Sequence, residues 1–106
     1  MGGTEGSGQL ALRPVLAALA EPHRADLVRL LVARQLCVRD MVAETGMAQP
    51  LVSHHLKVLR EAGLVESTVC SNLTVYRLRA DTLQAMAERL TALAAQAAVT
   101  SRTPPC

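Results

Sequence analysis

The sequence predicts a mainly α-helical domain with one small β-hairpin. Hydrophobic residues make up 50% of the 106-residue chain, and most of them recur at the three- and four-residue spacing of amphipathic helices. The segments 64–69 and 73–78 are instead rich in β-branched residues, and Cys70-Ser71-Asn72 between them supplies a turn. The chain has one Tyr and no Phe or Trp, so its core must be aliphatic.

Three short helices and a strand are expected before the longest polar-faced segment. They are a helix over about 10–19, a helix from Pro22 to about Arg34, a short apolar segment at 36–38 that can form a strand, and a two-turn helix over 39–45. Gly46 then ends the third helix and makes a tight turn into the next segment.

The helix predicted between Met47 and Gly63 has two unlike faces. Its apolar stripe contains Val52, Leu56 and Leu59. The opposite face carries hydrogen-bond donors and positive charge, which suit the phosphates and base edges of DNA. The alternative is an ordinary solvated face, but the absence of any carboxylate on it before Glu61 favours DNA. We therefore predict DNA contacts from Gln49, Ser53, His54, Lys57 and Arg60.

The neighbouring histidine is expected to behave differently. His55 lies between Leu51 and Val58 on the flank of the apolar stripe, so we expect a half-buried, hydrogen-bonded imidazole rather than a base contact. His54 and His55 point about 100° apart on a helix and cannot bind one ion together. His23 is assigned to capping and core packing.

The order of elements predicts a winged helix-turn-helix. Two short helices joined at Gly46, the second with a polar outer face, form the helix-turn-helix pattern. A β-hairpin placed directly after the second helix would be the wing. Asn72 lies at its tip, and we predict that it contacts DNA beside the helix.

The last helix indicates a dimer. Asp81 and Thr82 are candidates for its N-cap. Its apolar stripe, with that of the first helix, is wider than one small domain can cover, which predicts a homodimer through the first and last helices. The domain would span 9–99, between a disordered tail at 1–8 and a flexible tail at 100–106. A two-fold dimer implies an inverted-repeat operator in double-stranded DNA.

The apolar runs, the cysteines and the motifs of the sequence bear on where the protein acts and on whether it is an enzyme. No apolar run approaches the roughly 18 residues that span a membrane, and the N-terminus lacks a signal pattern, so we expect a cytoplasmic protein with no membrane partner. The three cysteines are odd in number and widely spaced, which indicates free thiols. No phosphate loop, activated nucleophile or carboxylate pair is present, so the sequence does not describe an enzyme.

Four segments together resemble the ArsR/SmtB family of dimeric winged-helix repressors, many of which release DNA on binding a metal or metalloid. They are Ala-Leu-Ala-Glu-Pro-His-Arg (18–24), Leu-Cys-Val-Arg-Asp-Met (36–41), Gln-Pro-Leu-Val-Ser-His-His-Leu-Lys-Val-Leu-Arg-Glu-Ala-Gly-Leu-Val (49–65) and Val-Tyr-Arg-Leu (75–78). The resemblance runs from about Val15 to Leu93. It implies a transcriptional repressor that needs no cofactor to bind DNA.

The sequence departs from the metal sites of that family. In arsenic-responsive members the segment similar to 36–42 has further cysteines, whereas this chain keeps Cys37 and has Arg39 and Val42 instead. The zinc-type site in the last helix needs Asp, His and Glu, but between Asp81 and Val99 this chain has no His and only Glu88 as a further acid. Neither ligand set is complete.

Three free thiols in such a chain nevertheless suggest a thiophilic effector. Cys37, Cys70 and Cys106 are the candidate ligands, with As(III) expected first and Hg(II) or Cd(II) next. Cys37 and Cys70 are expected to lie too far apart within one subunit. Three alternatives stay open: three unrelated cysteines, a repressor that responds to thiol oxidation or to no effector, and a dimeric protein-interaction module.

Overall fold

The computed structural model describes residues 12–106 and contains five helices and three strands within them. In chain order they are α1 (Leu12–Ala20), α2 (Pro22–Ala33), β1 (Leu36–Cys37), α3 (Val38–Thr45), α4 (Gln49–Glu61), β2 (Val65–Cys70), β3 (Leu73–Leu78) and α5 (Ala80–Ser101). The predicted tail at 1–8 and the predicted helix start near Leu10 lie outside the described residues.

The predicted hairpin is part of a three-stranded antiparallel sheet in the order β1-β3-β2. Strands β2 and β3 pair from Val65 opposite Leu78 to Cys70 opposite Leu73, and Ser71 adopts a left-handed φ of 58° in the turn. The short strand β1 adds to the other edge of β3, with Cys37 opposite Val75. The wing is therefore anchored to the helical part of the domain by backbone pairing.

The core is aliphatic, as the composition requires. It draws on all five helices and on the strand ends, so the elements form one hydrophobic cluster. Its most deeply buried side chains are Val15, Leu27, Leu36, Met41, Val52, Leu56, Leu59, Leu64 and Val65.

The turn between α3 and α4 is fixed by short-range hydrogen bonds. Gly46 has φ 76°, a left-handed conformation that a glycine adopts without steric cost, and its N–H donates to Val42 O at 2.9 Å. The Thr45 hydroxyl donates to Met41 O at 2.7 Å and accepts from the Met47 N–H at 3.1 Å. These contacts set the angle at which α4 leaves α3.

The start of α5 corrects one expectation. Neither Asp81 nor Thr82 is the N-cap, because the helix begins at Ala80 with Arg79 as the capping residue. The Arg79 backbone N–H donates to Leu64 O at 2.8 Å, and the buried Thr82 hydroxyl donates to Gly63 O at 2.6 Å. Thr82 therefore ties α5 to the turn after α4 instead of closing its own helix end.

Helix α5 continues through Ser101, two residues beyond the predicted end of the domain at 99. From its middle to its end it exposes Leu90, Leu93 and Val99. None of the helices in the part of the chain that the structure describes is long and apolar enough to cross a membrane.

Candidate nucleic-acid interface

The polar face of α4 is open to solvent. All five side chains that the sequence assigned to DNA contact are exposed, namely Gln49, Ser53, His54, Lys57 and Arg60. Four of them follow one another at intervals of three or four residues and so share one side of the helix. At 13 residues, α4 is about 20 Å long. An α-helix with its side chains is about 10–12 Å in diameter, which fits the roughly 12 Å width of a major groove.

The other face of α4 holds the helix in place. Val52, Leu56 and Leu59 are buried in the core, with exposures of 0%, 1% and 0%. The helix starts with Pro50 in its first turn, and Gly63 with φ 80° follows its end. Because its apolar side is fixed, the opposite side is presented outward in one orientation.

The wing extends beyond the core. Ser71 and Asn72 form the two-residue connection between β2 and β3, and both are exposed. Near the base of the hairpin, Arg77 forms an ion pair with Glu66 on the neighbouring strand. Asn72 at the tip is therefore exposed at the end of two paired strands that β1 anchors to the helical part of the domain.

Comparison with known proteins identifies the family. The model described as "Bacterial regulatory protein, arsR family" matches residues 21–67. The arsenical resistance operon repressor of Staphylococcus xylosus is 30% identical over 79 residues, which are 74% of this chain and 76% of that protein. This chain belongs to the arsR family. The interpretation drawn from the four sequence segments is confirmed.

Two further proteins show how much of a relative this chain covers and which fold it shares. The HTH-type transcriptional repressor SmtB of Mycobacterium tuberculosis (strain CDC 1551 / Oshkosh) is 42% identical over 64 residues, 60% of this chain and 47% of that protein. The chain thus spans about half the length of that relative. The homodimeric winged helix-turn-helix DNA-binding domain Mb0332 of Mycobacterium bovis superposes with a TM-score of 0.67 at 26% identity, covering 88% of this chain and 86% of that one. The winged helix-turn-helix fold is confirmed.

Within this arsR-family chain the three cysteines are dispersed. Cys37 is buried at the N-cap position of α3, where its side chain makes no capping hydrogen bond. Cys70 and Cys106 are exposed, at the end of β2 and at the C-terminus. Strands β1 and β2 flank β3 on opposite sides, and Cys37 and Cys70 lie opposite Val75 and Leu73, two residues apart along β3. Two strand spacings and this offset separate the Cα atoms of the two cysteines by roughly 12 Å. These two thiols do not meet within one chain.

His55 of α4 is hydrogen-bonded as expected, but it is buried where a half-buried ring was predicted. His55 is 5% exposed, and its Nδ1 lies 3.3 Å from Arg24 Nη1. Because a guanidinium only donates, Nδ1 accepts this bond and the neutral ring carries its proton on Nε2. Arg24 also donates to Ala18 O at 2.8 Å. Desolvation by burial holds the pKa of His55 below its ordinary value, so the ring is neutral at neutral pH.

The carboxylate of Glu21 and the imidazole of His23 lie next to His55, where the start of α2 meets α4. Glu21 is the N-cap of α2, accepting from the Arg24 N–H at 3.0 Å, and its other oxygen lies 3.0 Å from His23 Nδ1. The hydrogen bond with His23 is the largest cause that lowers the pKa of Glu21 to about 2. The rings of His23 and His55 stack with centroids 5.5 Å apart and planes inclined by 15°.

Sequence reasoning missed this group. It assigned His23 to capping and core packing, and treated His55 apart from it. The two histidines are 32 positions apart, and no local spacing pattern connects α2 with α4. The one available signal was Glu-Pro-His at 21–23 opening a helix, because a residue at the N-cap and one two positions later emerge at the same helix end.

Proposed function

We propose that this arsR-family protein is a transcriptional repressor that binds double-stranded DNA through the exposed face of α4. One observation carries the proposal: a helix whose apolar side is fixed in the core exposes amide, hydroxyl, imidazole and cationic side chains on its outer side, with no acidic side chain before Glu61 at its end. Lys57 and Arg60 supply charge for phosphates, whereas Gln49 and Ser53 supply hydrogen bonds that can distinguish base edges.

The wing supports the same mode of binding. With α4 in the major groove, the hairpin extends away from the core and brings Asn72 toward the flanking backbone or groove. Its anchorage through β1 restricts the directions in which the tip can point. The wing would therefore add contacts without a large entropic cost of ordering.

A homodimer would set the operator geometry. Leu16 on α1 and Leu90, Leu93 and Val99 on α5 are between 42% and 61% exposed, which is unusual for a row of large aliphatic side chains. Burying these two helices between subunits would remove the apolar surface and relate two copies of α4 by a two-fold axis. Such a dimer would bind an inverted repeat with half-sites about one helical turn apart or a multiple of it.

The test is fluorescence anisotropy of the purified protein on DNA from upstream of its own gene, at several salt concentrations. Binding should weaken steeply with salt, because each neutralised phosphate releases counterions. At any one salt concentration, Arg60→Ala should weaken DNA binding. Arg29→Ala is the control and should not weaken it, because Arg29 is exposed on α2 and paired with Asp26. A protein-interaction module would show no salt-dependent DNA complex. Sedimentation of the same sample tests the dimer.

For the effector, we propose a thiophilic ion, As(III) first and Hg(II) or Cd(II) next, with Cys37 as its main ligand. The arsenical resistance operon repressor of S. xylosus is a relative over three quarters of its length, which supports this choice. Since Cys70 is too distant within the same chain, a second thiolate would have to come from Cys106 or from the other subunit. An ion that binds only one dimer geometry would shift the protein away from the one that fits DNA.

The effector is tested by adding As(III), Hg(II) and Cd(II) in turn to the reduced protein–DNA complex. One of them should release the DNA from the wild-type protein but not from Cys37→Ser, and Cys70→Ser and Cys106→Ser would show which second thiolate takes part. Release by an oxidant alone, reversed by reductant, would instead indicate a thiol redox response. If the protein binds DNA and no ion releases it, the cysteines have no sensing role.

A further inference from the structure

Three potential metal ligands, none of them a cysteine, meet at the corner between α1, α2 and α4. Glu21, His23 and His55 each offer one ligand atom, and these atoms all lie within 4.8 Å of one another. The shortest pair is His23 Nδ1 and Glu21 Oε2 at 3.0 Å, and His55 Nε2 lies 3.9 Å from Glu21 Oε1. Ligands around one zinc ion lie about 3.3 Å apart, so small side-chain movements would close the set.

A second, independent observation points to a ligand at this corner. His55 Nε2 is buried and has no hydrogen-bond partner among residues 12–106. A buried polar nitrogen without a partner is costly and rare in folded proteins. This nitrogen faces the Glu21 carboxylate at a distance too long for a hydrogen bond, and an ion between the two groups would give it a partner.

We propose that Glu21, His23 and His55 form a binding site for a divalent cation of the zinc type. Two imidazoles and one carboxylate suit Zn(II), Co(II) and Ni(II), and they leave a coordination position open for water. The same set is poorly suited to As(III), which requires thiolates. The site is therefore separate in position and in chemistry from the proposed thiol effector, and it does not rest on DNA binding.

The protonation states favour binding at neutral pH. Metal ligands must be deprotonated, and a carboxylate at Glu21 with a neutral imidazole at His55 meets this requirement. Arg24 places one positive charge beside His55 and so opposes the cation. The ionised Glu21 offsets that charge, and the Arg24 guanidinium stays hydrogen-bonded to Ala18 O through Nε.

Binding of an ion requires both His23 and His55 to change tautomer, and each ring keeps its one proton. In the free corner His23 donates through Nδ1 to Glu21, and His55 carries its proton on Nε2. Coordination through His23 Nδ1 and His55 Nε2 moves one proton to the exposed side of the His23 ring and one to His55 Nδ1. Arg24 Nη1 can then no longer donate to His55. The ion would thus replace the Arg24–His55 contact with a direct link between the start of α2 and α4.

The test is a Co(II) titration of the reduced full-length protein without DNA, followed by visible and near-ultraviolet absorbance. Zn(II) affinity is measured in parallel by competition with a chromophoric chelator. We expect one ion per chain, with visible d–d bands and no thiolate-to-metal charge-transfer band. His23→Ala should weaken Zn(II) binding by more than about tenfold, since loss of an outer-sphere partner alone costs about 10–100-fold. His23 is chosen because its half-exposed side chain can be removed without opening the core.

His54→Ala is the matched control, because it removes an exposed histidine adjacent to the site and should leave the ion affinity unchanged. Nitrogen-15 imidazole spectra with Zn(II) should show shifts for His23 and His55 and none for His54. The proposal is overturned if no ion binds, if a thiolate charge-transfer band accompanies binding, or if His23→Ala binds Zn(II) as tightly as the wild type. A failure of DNA binding would leave all three measurements interpretable.

Discussion

His54 and His55 are the same residue type in adjacent positions, yet they belong to different parts of the protein. His54 is exposed on the polar face of α4, whereas His55 is buried against Arg24 and Glu21. The difference follows from a rotation of about 100° per residue. One face of α4 therefore holds the fold together, and the other is open to solvent, where the proposed DNA contacts lie.

The largest expected effect comes from the buried face. Leu59→Ala removes a fully buried side chain and leaves a cavity, so the free energy of unfolding should fall by about 2–5 kcal/mol. Urea denaturation, followed by circular dichroism at one fixed protein concentration, measures the loss. A cost below about 1 kcal/mol would mean that α4 is not fixed by its apolar side.

The exposed face should respond in the opposite way. Lys57→Ala should change the free energy of unfolding by no more than about 0.5 kcal/mol, because the side chain lies in solvent. DNA affinity should fall for specific and non-specific sequences alike, and the slope of log K against log salt should decrease by about 1. Anisotropy titrations at three or more salt concentrations measure both. An unchanged slope would place Lys57 outside the phosphate contacts.

The local pattern of the chain predicted most of α4 and its surroundings. The apolar spacing located the buried side of the helix, and Gly46 and Gly63 have the left-handed φ values that make them turn residues. Each of these features depends on residues within a few positions of one another. Helical and strand periodicity, together with the demands of tight turns, are sufficient to predict them.

Features that depend on distant parts of the chain were not predictable. Thr82 was a reasonable N-cap by residue type, but its hydroxyl bonds Gly63 O, 19 residues earlier. The corner of Glu21, His23 and His55 likewise joins two helices whose packing no periodicity encodes. The distance between Cys37 and Cys70 depends on the strand order β1-β3-β2, which places their strands on opposite sides of β3. Tertiary packing decides all three.

The smallest expected effect is a dependence of the free energy of unfolding on pH, which should come from His55 and not from His54. Burial lowers the pKa of His55 in the folded protein, although the negative charge of Glu21 partly opposes the shift. The unfolded chain therefore takes up a proton at His55 first, near pH 6.5. Stability should be complete above about pH 6.5 and decline as the pH falls toward the lower folded value. Glu21 does not interfere, because its contribution is lost only between its ordinary pKa of 4.5 and about 2.

Urea unfolding at intervals between about pH 7 and 5 measures this decline, and two variants assign it. His55→Gln should be less stable at every pH, but its stability should depend less on pH, because the group that titrates on unfolding is gone. His54→Gln should keep the full decline, since it changes only the exposed face. If both variants decline as the wild type does, the burial of His55 does not control its protonation, and the contrast between the two faces would then be one of packing alone.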